Sequence, residues 1–270
     1  MKRFMSPLII LNFKGVSKLF SGIHIFLIAL LAVTFIADQL EARVLVQSSE
    51  IKHDIVDSLN AKAASFRFTN LDSMSVYADS AYNIATAIDH IPGLIEASRL
   101  KSVHMFVKGE YSDALELLFE KKLEIENLNY AREKAMVDYY IGIVFNASGN
   151  YQAGLPYLLE AVDIFRSLNE DSYVLQALNN IGVCYIRLEK YQEALDIFLE
   201  IQAAEHDSNP GLVTTLYVNL AYCYYGIGEF DKAEEILLEF FGLPIASINE
   251  RGYGFGYFKL GEVHNQQGLY

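Results

Sequence analysis

Cysteine is scarce: Cys184 and Cys223 are the only two in 270 residues, and neither stands in a Cys-x-x-Cys pair or beside a patterned histidine. That excludes a disulfide framework and a cysteine-based zinc site. Prolines number five and glycines 17, so little interrupts the abundant Ala, Leu, Ile and Glu, and an all-helical chain is expected. Charge is nearly missing from the first 37 residues, where Lys2, Arg3, Lys14 and Lys18 stand alone. Four of the 21 basic side chains lie there, which leaves 17 against 34 acidic ones in the remainder. Such a surface repels phosphate backbones and excludes a broad nucleic-acid interface.

Chemical motifs are missing too. The sequence holds no GxxxxGK[ST], GxSxG, HExxH or EF-hand pattern, and no two of its six histidines stand three or four residues apart. No metal, cofactor or catalytic residue is therefore expected in this chain. Gly252, Gly254 and Gly256 follow no strand, so they do not read as a phosphate loop. The acidic runs 116–126 and 231–239 are interspersed with Lys and Leu and read as outer helix faces.

What the amino terminus does have is an apolar run, IHIFLIALLAVTFIA, from Ile23 to Ala37. Basic residues precede it and Asp38 and Glu41 follow. That polarity leaves the amino end in the cytoplasm and carries the rest across the membrane. Residues 1–40 read as a signal peptide or an uncleaved membrane anchor, with a buried helix of the folded protein as a third reading. Membrane association would run through residues 19–37, and the exported part would be periplasmic or anchored facing outward.

The remainder is organised by a repeat. IGIVFNASGNYQAGLPYLLEA from 141, IGVCYIRLEKYQEALDIFLEI from 181 and LAYCYYGIGEFDKAEEILLEF from 220 align without gaps. The small residues Gly142, Gly182, Ala221 and Gly261 mark the register, and Ser102 extends it backwards. Within it, Gly109-x-Tyr111-x-x-Ala114 recurs as Gly149/Tyr151/Gly154, Glu189/Tyr191/Ala194 and Gly228/Phe230/Ala233. Leu178, Ile181, Tyr185 and Leu188 fall at helical spacing, as do Leu195, Phe198 and Leu199 in the next segment. Pro156 is expected at a helix start, where it loses no needed N–H. Small residues belong where two helix backbones approach, so enlarging Gly182 or Ala194 should overpack the contact.

These residues, above all LNNIGVCYIRLEKYQEAL from 178 to 195, resemble the tetratricopeptide repeat, a helix–turn–helix unit. The resemblance covers residues 95–270, the last repeat incomplete, with residues 41–94 as a divergent first helical pair. It implies an all-α right-handed superhelix of stacked antiparallel helix pairs, preceded by the one hydrophobic segment. The openings of residues 70–73 are similar to those of arrays in the extracytoplasmic region of bacterial membrane-linked signalling proteins. An inner groove built from the first helix of each pair is implied to bind a peptide or protein partner. Carried over by position, its residues include Arg99, Tyr139, Asn180, Arg187, Asn219, Tyr222 and Lys259. Asn180 and Asn219 share one register and either grip an extended peptide backbone or hydrogen-bond between helices. Arg99, Arg187 and Lys259 would be basic points for a ligand carboxylate. Two functional readings follow: the input region of a longer signalling protein, or a stand-alone envelope scaffold that assembles other proteins. In KLGEVHNQQGLY, from 259 to 270, Leu260-Gly261 opens a sixth repeat and Gly268-x-Tyr270 begins its second helix, so a longer chain is expected.

Overall fold

In a computed structural model, the residues described are 50–204, 210–243 and 250–268, and among them every regular element is an α-helix. The apolar run of residues 23–37 lies outside the described residues. The helices are α1 (residues 50–65), α2 (Leu71–Ala87), α3 (Ile91–Val107), α4 (Tyr111–Ile125), α5 (Ala131–Ala147), α6 (Tyr151–Ser167), α7 (Asp171–Arg187), α8 (Tyr191–Ala204), α9 (Pro210–Gly226), α10 (Phe230–Gly242) and α11 (Glu250–Gln267). Contacts divide the chain into residues 1–55, of which 50–55 are described, and a second unit of residues 56–270 that carries the helical array.

The turns explain the spacing. Gly109, Gly149, Gly228 and Gly268 all take positive φ, between 71° and 85°, and Glu189 takes the same conformation at 59°. Each of the first three, and Glu189 too, closes a Schellman turn. At Gly149 the amide donates to the Asn146 carbonyl at 3.0 Å and Asn150 N–H to the Phe145 carbonyl at 2.8 Å. Asp89 and Asn169 make the corresponding turn before α3 and α7, with φ of 53° and 56°. The left-handed conformation that stops one helix thus aims the chain back along it, and the next aromatic opens the returning helix.

Packing follows the same register. Ala114, Ala194 and Ala233 are fully buried, and four residues on Leu118, Leu158, Phe198 and Leu237 are at most 1% exposed. A Cβ placed on Gly182 would lie 2.4 Å from Phe198 Cζ, and one on Gly142 would lie 2.5 Å from Leu158 Cγ. Gly154 lets α6 meet α5 by backbone, since its Cβ would fall 3.0 Å from the Gly142 carbonyl oxygen. Successive helices from α2 to α11 pack on one another, and α3, α5, α7, α9 and α11 also approach in sequence. Among the described residues no such approach joins the even-numbered helices of the array. The odd-numbered layer is the tighter one, so it forms the inner wall of the curve.

Two expectations change. Pro156 is the sixth residue of α6, which starts at Tyr151, so it does remove a helical hydrogen bond, the one Gln152's carbonyl would accept. Gln152 is exposed, and water can take that bond. His90-Ile-Pro-Gly, which by its Pro-Gly pair reads as the end of the helix before it, instead supplies in residues 91–93 the first turn of α3, with Pro92 at its start, where a proline is well suited. Asn60 Nδ2 donates to the Gly93 carbonyl at 2.9 Å and fixes that turn against α1.

Candidate functional site

The inner wall is largely occupied by its own contacts. Arg99 on α3 is 8% exposed. Its Nε donates to Glu96 Oε2 at 2.7 Å, and its Nη1 donates to the Tyr140 hydroxyl on α5 at 2.9 Å. Burial works against its charge, but Glu96 and Tyr140 hold its pKa above the usual range. Tyr139 is 5% exposed and lies edge-on to Tyr140 and Phe165. It belongs to the core more than to an open wall. Lys259 is 8% exposed, with its Nζ 3.9 Å from the Tyr222 ring centre and ion-paired to Glu262. Of the three basic points expected on the wall, Arg99 and Lys259 are already matched.

Between α5 and α7 a polar seam closes the wall. Asn180 Nδ2 donates to the Gln176 carbonyl at 2.9 Å and to the Tyr139 hydroxyl at 3.4 Å. The Cys184 thiol donates to Asn146 Oδ1 at 2.9 Å, and Asn146 Nδ2 donates to the Asn180 carbonyl at 3.4 Å. Cys184 and Cys223 are free and buried. Burial pushes their thiols up to about 11 and about 12, so both stay protonated and unreactive.

At α9 the seam stops. Asn219 is half-buried and makes no hydrogen bond to a described residue, although it holds Asn180's register one repeat later. Tyr222, one turn on, tilts against Tyr191 at 6.2 Å. Arg187, at the end of α7, is exposed and pairs with no described carboxylate. These are groups with donors to offer in a wall that elsewhere answers its own.

Spacing did not single out a second feature. The turn between α1 and α2 and the end of α3 border an open cavity of about 650 Å³, lined in part by Arg67, Phe68, Val103 and Phe106. Val103 and Phe106 fall on the inner-wall positions of α3, but Arg67 and Phe68 lie in a turn outside the repeat register. An unmatched arginine in an acidic chain was the signal available.

Among the described residues no three His, Cys, Asp or Glu side chains gather as a metal site. Gly254 and Gly256 lie within α11, and a Cβ on Gly256 would meet Phe240 at 2.9 Å. Stacked helical hairpins with one layer on an inner wall define an α-solenoid, a class built around extended binding surfaces. The tetratricopeptide repeat matches residues 133–204 and again residues 214–243. These two stretches of the chain carry tetratricopeptide repeats.

Solved structures share the fold at low identity. BtubC from P. vanneervenii is 18% identical, with 76% of this chain and 88% of that chain covered and a TM-score of 0.61. The quorum sensor NprR from B. thuringiensis, in its apo form, is 14% identical, with 86% and 67% covered and a TM-score of 0.63. NprR in complex with its cognate peptide NprX is 14% identical, with 81% and 62% covered and a TM-score of 0.58. No curated protein matches the chain.

Proposed function

We propose that this chain is the partner-binding input region of an exported signalling protein, and that it receives an extended peptide or protein segment along its inner wall at α7 and α9. The observation that carries this reading is the contrast within one register: Asn180 is held by Gln176 and Tyr139, and Asn219 keeps its amide for a ligand. A side-chain amide offers a donor and an acceptor together, which suits a peptide backbone. Arg187 supplies a charge for a ligand carboxylate. NprR, which shares the fold, forms a complex with its cognate peptide NprX, and that supports a peptide as the partner.

The export signal of residues 1–40 supports placement outside the cytoplasm. A reporter enzyme active only after export, fused behind residue 40, should be active, and an inactive fusion with normal expression removes that part. For the binding part, a random peptide array probed with the full chain should retain peptides that the Asn219→Ala/Arg187→Glu variant releases. Identical retention by the two proteins would count against the α7–α9 wall.

A further inference from the structure

The cavity beside α3 gives the ligand a chemistry, and its assignment rests on the groove reading above. Its apolar walls come from Val103, Phe106 and Val107 of α3 and from Phe68 in the preceding turn. Phe68 is 90% exposed and Val107 51%, so both gain from being covered. Its net charge is positive, with Arg67 and Lys108 against the one carboxylate of Asp72. Arg67 is half-buried and pairs with no described carboxylate; its guanidinium carbon stands 5.2 Å from the Phe68 ring centre. Lys108 reaches only Asp72, at 4.0 Å, with the two side chains 47% and 91% exposed, an arrangement that contributes little.

Arg67 shares with Arg187 the lack of a described carboxylate partner, whereas several other basic side chains are matched. Lys101, Lys122, Arg132, Arg166 and Lys259 each hold a carboxylate, in a chain with 34 acidic side chains to 21 basic ones. The cavity also communicates with the wall. Burial and then Tyr140 raise the pKa of the Tyr139 hydroxyl, and the charge of Arg67 opposes them, so the field of Arg67 reaches α5. A volume of about 650 Å³ lies in the range that encloses one or two large side chains rather than a folded domain.

We infer that this cavity is an anchor subsite of the groove, taking an aromatic or long aliphatic side chain of an acidic peptide whose neighbouring carboxylate pairs with Arg67. The occupant is a peptide of opposite charge to the site, not a bare apolar surface. An unpaired guanidinium beside an aromatic ring makes bidentate carboxylate recognition available, and the apolar wall fixes the residue next to it.

The chain contains no tryptophan, so an indole probe reports its own binding. The experiment titrates the full chain into acetyl-Asp-Trp-Asp-amide and, separately, into acetyl-Lys-Trp-Lys-amide, and follows the indole emission. The acidic probe should saturate with a blue shift and bind at least about tenfold more tightly than the basic one, the scale of one charged hydrogen bond. Raising the salt should weaken it. Arg67→Glu should abolish that preference, and Phe68→Ser, at an exposed position that leaves the core untouched, should weaken both probes. Equal binding of the two probes, absence of binding, or unchanged binding by Arg67→Glu would overturn the inference. Should the acidic probe instead be lost in Asn219→Ala and kept in Arg67→Glu, the cavity assignment falls and the groove reading stands.

Discussion

Asn180 and Asn219 occupy one register in adjacent repeats and do different things. The first is tied into a seam that runs from Tyr139 through Asn146 to Cys184, and the second meets no described partner. A repeat sequence fixes where a side chain stands on its helix, whereas its neighbours in the next repeat decide whether it is structural. Tyr139 supplies the hydroxyl that Asn180 uses. At Asn219 the residue in the place of Tyr139 is Asn179, which carries no hydroxyl and whose Oδ1 is buried without a hydrogen bond.

Substitutions on either side of that contrast test it. The α7–α8 frame that holds Asn180 depends on Phe198, fully buried over Gly182. Phe198→Ala should cost about 3–5 kcal/mol in urea unfolding, as large-to-small changes in a packed core do. Gly182→Ala attacks the same contact from the other side and should cost about 1–3 kcal/mol by overpacking. If either change is neutral, the frame is looser than its packing indicates and the seam loses its support.

The two asparagines then separate. Asn180→Ala removes two hydrogen bonds and should lower stability by about 1 kcal/mol, whereas Asn219→Ala should stay within about 0.5 kcal/mol. Equal destabilisation by thermal or chemical unfolding would show that Asn219 is structural as well. A smaller effect probes the turn below the seam. Glu189 holds a left-handed conformation that glycine holds in the other repeats, so Glu189→Gly should raise stability by roughly 0.5–1 kcal/mol. No gain there would mean that its side chain compensates the backbone.

Much of this architecture is legible in the sequence, for a physical reason. Gly109, Gly149 and Gly228 can be read as turns because positive φ favours one residue type, and the Ala and Gly of the helix crossings because only small residues fit against Leu158 or Phe198. The 40-residue register follows from those two constraints together. The wall is less legible. Arg99 and Lys259 fall on inner positions, yet Glu96 and Glu262 stand one turn away on the same helices and take their charges; both partners were in plain view at i−3 and i+3. The burial of Tyr139 was not, because it depends on Phe165 of α6 meeting it across helices. Pro156 shows the limit at a helix start, because it stands sixth in α6, beyond the first turn whose N–H groups alone lack a helical acceptor, and so costs the helix a hydrogen bond. Arg67 and Phe68 escaped because a cavity formed between a turn and a helix end has no period.

The central claim is that the wall binds at α9 with the amide that the fold leaves unanswered. Calorimetric titration of one array-selected peptide against the full chain, Asn180→Ala and Asn219→Ala tests it directly. The account predicts at least about tenfold weaker binding by Asn219→Ala with an unchanged unfolding midpoint, and a smaller loss by Asn180→Ala. Unaltered affinity in Asn219→Ala, or an equal loss in both variants, would contradict it.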